Sequence, residues 1–225
     1  MTSSTSNTIP NLKEITDGLR SRFDARTQAR DHALQQSRAL TSLSAHTIRA
    51  IHREEFEDVE QNLAEMRQVV SVLKEFLADY PDLYFAGYTQ DAIKEYVEAH
   101  ITYALVQGAP FPTPEALGAE DAAYTKGMAE AATELRRRAL DILRKGYSQD
   151  AEALLEAMDE IYTELVTFDY PDAVTYGLRR QTDVVRGVLE RTRGDLTISM
   201  RQHHLAQAME ALMEQLHLQD DSTQA

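Results

Sequence analysis

Prolines and glycines are rare in this chain and clustered, and their spacing constrains the fold more than any other feature. Six prolines and nine glycines in 225 residues leave long stretches in which nothing interrupts a helix. No stretch alternates with period two, as a half-buried strand would, and no tandem repeat is present. From about Arg53 to Ala78 the residues Phe56, Val59, Leu63, Met66, Val70, Leu73 and Leu77 follow a 3-4-3-4 spacing, the seam of a paired helix. The pattern predicts an all-α fold of about six to seven long antiparallel helices. One helical domain is expected over residues 11–217, between tails at 1–10 and 218–225 expected to be disordered.

Local signals divide the chain further. A first helix is expected from about Asn11 to His52, bending around Ser42–Ser44. Thr89 is a fair N-cap for a helix from about Gln90 to Val106, and the Pro-rich loop Gly108–Pro114 ends it. The next runs from about Ala119 to Lys145 before Gly146, and Ser148 caps another from about Gln149 to Phe168. Asp169-Tyr-Pro-Asp172 opens the sixth, and Gly194 or Asp195 marks a break before a last helix reaching about Leu216.

Composition narrows the function. Cysteine is absent, which excludes disulfides, thiolate metal sites and cysteine nucleophiles and fits a cytoplasmic protein. Met1–Pro10 lacks the apolar core of a signal peptide, and no run of 18 apolar residues exists, so no membrane role is expected. The formal net charge is −14, and 18 of the 23 basic residues are arginine. An acidic, lysine-poor surface suits concentrated salt, so a halophilic source is one reading and a plain soluble acidic protein the other.

That average conceals an asymmetry. Between Arg20 and Arg53 lie seven arginines and only two aspartates. Arg22, Arg26 and Arg30 recur every four residues and share a helix face. The stripe could face phosphates, or it could be a solvated face paired with acids of a neighbouring helix.

The segment Gln90-Asp-Ala-Ile-Lys-Glu95-Tyr-Val-Glu98-Ala-His100 carries the candidate chemistry. Glu95 and Glu98 fall one helical turn apart, with Asp91 one turn before, and Glu130 and Glu134 repeat the arrangement downstream. In isolation such pairs are usually solvated acids. Here apolar neighbours (Ile93, Tyr96, Val97 and Ile101; Met128 and Leu135) predict partial burial, and buried acids need a cation. Carboxylate-only ligation favours Mg2+, with Mn2+ as substitute, over zinc. Phosphodiester hydrolysis follows naturally from such an ion, which activates water and offsets charge on the phosphate. A free carboxylate could take the proton from water or a ribose 2′-hydroxyl. Nucleotide-binding glycine loops, zincin patterns and nucleophile elbows are absent.

The ordered set of motifs resembles the translin family, in particular its translin-associated factor X branch in archaeal form. It comprises Glu95-Tyr-Val-Glu98-Ala, Gly127-Met-Ala-Glu130-Ala-Ala-Thr-Glu134-Leu, Ser37-Arg38, Thr47-Ile-Arg-Ala-Ile-His52-Arg53, Tyr80-Pro-Asp-Leu-Tyr84 and Asp169-Tyr-Pro-Asp172 with Leu178-Arg179-Arg180. The likeness spans roughly residues 15–216. It implies a seven-helix fold assembling into closed, octamer-like homo-oligomers that bind single-stranded RNA or DNA. For this branch it implies a Mg2+-dependent endoribonuclease whose catalytic acids fall on Glu95, Glu98, Glu130 and Glu134. Glu98 and Glu134 are expected as metal ligands, with Glu95 and Glu130 completing the site or activating the nucleophile. Animal members carry Asp where Glu130 stands. A translin-like partner supplies much of the nucleic-acid binding in eukaryotes; a self-sufficient homo-oligomer is expected here. If the oligomer encloses a chamber, Arg22, Arg26, Arg30, Arg38, Arg49 and Arg53 are candidates to hold the RNA backbone. A non-catalytic nucleic-acid-binding oligomer and a helical scaffold are the competing readings.

Overall fold

A computed structural model of the chain describes residues 9–223, with side chains described up to residue 215. Among the described residues there are nine helices and no strand: α1 (Leu12–Arg53), α2 (Phe56–Phe76), α3 (Pro81–Tyr84), α4 (Gly87–Gln107), α5 (Pro114–Leu117), α6 (Asp121–Leu143), α7 (Gln149–Val166), α8 (Asp172–Thr175) and α9 (Leu178–Thr223). Six are long; α3, α5 and α8 are single turns within connections. The all-α expectation holds. Of the tail expected at residues 1–10, positions 1–8 lie outside the described residues, as do 224–225.

α2 doubles back along α1 through a two-residue turn. Glu54 takes a left-handed φ of 63°, and the N–H groups of Glu54 and Glu55 return to the Ile51 and Ala50 carbonyls. The predicted seam of α2 faces this junction: Val59, Leu63, Met66, Val70, Leu73 and Leu77 are buried, and Phe56 is half-buried. Ser148 caps α7 as expected, its side chain accepting from the Asp150 N–H.

α1 runs unbroken through Ser42–Ser44, where the buried Ser44 hydroxyl donates back to the Leu40 carbonyl and towards the Met66 sulfur. Two local readings are corrected. Thr89 lies inside the first turn of α4, which starts at Gly87, and its hydroxyl donates to the Leu83 carbonyl. Gly194 and Asp195 interrupt nothing: α9 is one helix to Thr223, past the end expected near Leu216. Buried Val188, Leu189, Thr192 and Leu196 anchor it on both sides of Gly194.

α4 packs against α1 and α6, while α6 also packs against α7 and α9. Leu40, Ile51, Met66, Ile93 and Tyr96 fill the first contact, and Leu135, Met158 and Leu189 fill part of the second. Most of the circumference of α4 is buried, from Ala92 through Ala104. An acid on the enclosed part of this helix, such as Glu98, is therefore short of water. At the two ends of the chain the helices outrun the core. The first buried residue of α1 is Ala29, and Leu196 is the last one described on α9.

Candidate metal centre

Two small side chains and a glycine bring the acidic turns together. Ala123, Gly127 and Ala131, four residues apart along α6, are all buried. A Cβ at Gly127 would lie 2.7 Å from the Lys94 carbonyl oxygen and 2.8 Å from the Val97 side chain. Only glycine permits α6 to cross α4 this closely. The crossing sets Glu130 opposite Glu95 and Glu98. One carboxylate oxygen from each of the three lies within 4.8 Å of the others. With Thr133, Gln181 and Val184 they line a cavity of about 340 Å³ between α4, α6 and α9.

Glu98 is the buried member, 7 % exposed. Burial, then the charges of Glu130, Glu95 and Glu134, push its carboxyl up to about 9, against the opposing charge of Lys94. Without a further cation this group keeps its proton at neutral pH. The donor set is all carboxylate oxygen, which suits a hard divalent cation.

The cluster is partly neutralised from within. Lys94 Nζ donates to Glu130 Oε1 at 2.7 Å and lies 2.6 Å from Glu130 Oε2 and 3.0 Å from Glu95 Oε1. Burial acts to lower the Lys94 pKa, but the bonds and charges of Glu130 and then Glu95 outweigh it and hold it above its ordinary value. Gln181 of α9 also donates to Glu130 Oε1. Glu134 makes a different contact: its Oε2 lies 2.8 Å from Nε2 of the buried His52 at the end of α1. The other imidazole nitrogen, His52 Nδ1, is buried with no partner among the described residues.

Glu95, Glu98 and Glu130 therefore converge, while Glu134 stands one turn along α6, tied to His52. Asp91 is exposed and 3.7 Å from Lys126, outside the convergence. Lys94, His52 and Gln181 are site residues that pattern reading missed. Lys94 had a usable signal, being one of only five lysines in the chain and adjacent to Glu95. Gln181 had none, since it reaches Glu130 across 51 residues.

The six candidate arginines are all exposed, and none pairs with the three converging acids among the described residues. Arg22, Arg26 and Arg30 stand on the part of α1 that outruns the core or at its edge. Arg26 pairs with Asp82 of α3, and Arg30 lies 3.1 Å from Asp31. Arg38 lines a shallow groove with Tyr88. Arg53, 3.9 Å from Glu55, shares a cleft with His52, Arg138, Arg144 and Lys145.

No protein-family model matches the chain. An uncharacterised protein of Methanocaldococcus jannaschii is 31 % identical over 181 residues, covering 77 % of this chain and 80 % of that protein. The solved structures of AfC3PO, one of them a complex with duplex RNA, superpose with a TM-score of 0.77 at 33 % identity, covering 83 % of this chain and 97 % of theirs. The structure of apo-NeC3PO superposes with a TM-score of 0.75 at 22 % identity, over 85 % of this chain and 98 % of that one, and shows the shared fold.

Proposed function

The chain belongs to the translin family, and from that premise we propose that it is a divalent-cation-dependent endoribonuclease of the translin-associated factor X branch. The observation that carries this reading is Glu98: a carboxyl 7 % exposed, with the Glu95 and Glu130 oxygens within 4.8 Å. Left unmet, that concentration of negative charge in a dry position is costly. Glu95, Glu98 and Glu130 would hold Mg2+ or Mn2+, with Glu134 beside them. The cation, when bound, supplies a Lewis acid that polarises water and offsets charge on the phosphate. The remaining chemistry rests on the protein. Loss of the Glu98 proton completes the donor set. His52 fixes Glu134 Oε2 and leaves Oε1 to accept a proton from water or a ribose 2′-hydroxyl. Gln181 orients Glu130 from the α9 side.

RNA is the proposed substrate, in keeping with the duplex RNA bound by AfC3PO. Single-stranded RNA is the cleaved form in this reading, and single-stranded DNA a second ligand. The arginines of α1 are proposed to hold phosphates, and the acidic remainder of the surface to serve solubility in concentrated salt. The exposed Leu205, Met209, Leu212 and Met213 on the distal part of α9 favour a homo-oligomer over an isolated chain.

A second reading, a non-catalytic nucleic-acid-binding oligomer, is favoured by one observation. Lys94 and His52 already engage Glu95, Glu130 and Glu134, so much of the network can stand as half-buried hydrogen bonds and ion pairs without a metal. End-labelled single-stranded and duplex RNA, incubated with Mg2+, Mn2+ or chelator at several salt concentrations, separates the two. Cleavage that requires the cation and disappears in Glu98→Gln and Glu130→Gln supports the nuclease. Binding without turnover, indifferent to chelator, supports the second reading.

A further inference from the structure

Lys94 is the residue of the centre that the proposed reaction leaves without a role. Its position is unusual for a lysine. The side chain is only 13 % exposed, and its ammonium lies among the carboxylates that the cation would use. Both oxygens of Glu130 are engaged by Lys94, at 2.7 and 2.6 Å, and Glu95 Oε1 lies 3.0 Å away. The Lys94 backbone is itself pinned: its carbonyl oxygen is the atom on which Gly127 of α6 closes. The lysine thus issues from the point where the two acid-bearing helices meet, and its ammonium returns to bridge them.

We propose that Lys94 is an internal counter-cation. Its ammonium holds Glu95 and Glu130 together when no divalent cation is bound, and it competes with that cation for the same oxygens. This inference rests on the reading of the acids as a cation centre. The reasoning is electrostatic. Glu95 and Glu130 repel each other beside the Glu98 carboxyl, all within 4.8 Å, and a single half-buried positive charge between the first two relieves much of that repulsion. A divalent cation needs the oxygens that Lys94 occupies and would sit within a few ångströms of a like charge. Entry therefore requires the ammonium to leave Glu130, and the free-energy cost of that exchange weakens the observed affinity.

The sign of the effect separates this role from a structural one. A lysine that merely supported the fold would, on removal, disorder the acids and weaken cation binding. A competing lysine, on removal, leaves the centre one charge more negative and strengthens it. Mn2+ titrations by calorimetry on the full chain, with wild type, Lys94→Met, Lys94→Gln and Lys94→Arg, test the inference. Glu98→Gln serves as the control that assigns the heat to this centre. The expected result is an affinity increase of about tenfold or more in both neutral variants, with Lys94→Arg close to wild type. The metal-free melting temperature should fall in the neutral variants and recover on Mn2+ addition by more than wild type gains. Unchanged or weaker affinity in folded Lys94→Met and Lys94→Gln, with binding still lost in Glu98→Gln, overturns the competition alone. Heat that is absent from wild type, or insensitive to Glu98→Gln, overturns the cation centre and this inference with it.

Discussion

Glu98 concentrates the physics of the molecule at the scale of one residue. It sits on the most enclosed helix, near three other acids, and its carboxyl is pushed up to about 9, first by burial and then by those charges. Because the folded-state value exceeds the ordinary 4.5, the folded protein keeps a proton that the unfolded chain releases. Stability from this group is complete below about pH 4.5 and is lost as pH rises towards 9. In chelator, wild type should therefore lose more melting temperature between pH 5 and 9 than Glu98→Gln does. Equal pH slopes for the two proteins would remove the argument for a strained carboxyl. At this scale the sequence was half legible. The three- and four-residue spacing of Glu95, Glu98, Glu130 and Glu134 put each pair on one face, and the apolar neighbours announced burial. Most of the partners were hidden: His52 and Gln181 reach the acids only in the assembled fold, and Lys94, though beside Glu95 in sequence, bridges to Glu130 only there.

At the scale of elements, the decisive contact is α4 against α6, and Gly127 sets its distance. Gly127→Ala forces a methyl group to within 2.7 Å of the Lys94 carbonyl oxygen, a backbone atom that cannot swing away. A loss of roughly 1–3 kcal/mol in denaturant melts is expected, the range for overpacking, together with weaker Mn2+ binding as α6 retreats. Gly194→Ala is the matched contrast. Gly194 lies inside α9 with nothing within 4 Å of a built Cβ, so alanine should stabilise the helix by about 0.5–1 kcal/mol. Both values come from urea unfolding of the two variants beside wild type, and a neutral Gly127→Ala would contradict the close-crossing account. The two glycines also show where element reading failed. A glycine in a helical pattern looks the same in sequence whether it ends a helix, as expected near Gly194, or admits a neighbour, as at Gly127. Packing decides, and α9 is held on both sides of Gly194 by Val188, Leu189 and Leu196. The seam of α2 was legible because six of its seven residues are buried along one stripe, mainly against α1.

The whole molecule is acidic, with a net charge of −14, yet it is proposed to bind a polyanion. The reconciling charge is proposed to lie on the exposed arginines of α1, which overall composition hides. Replacing Arg22, Arg26 and Arg30 together by glutamine should weaken RNA binding and flatten its dependence on salt, measured by fluorescence anisotropy across a salt series. Unchanged affinity and slope would make the stripe a solvated face. The family likeness was readable from ordered motifs along nearly the whole chain, whereas the meeting of Glu95, Glu98 and Glu130 from two helices had to be folded to be seen. That meeting is the central claim. Anomalous diffraction from crystals soaked in Mn2+ tests it most directly. One strong peak is expected at about 2.0–2.6 Å from oxygens of Glu95, Glu98 and Glu130, with the Lys94 ammonium withdrawn from Glu130. A map with no peak among these three side chains, at a concentration that supports RNA cleavage, would contradict it.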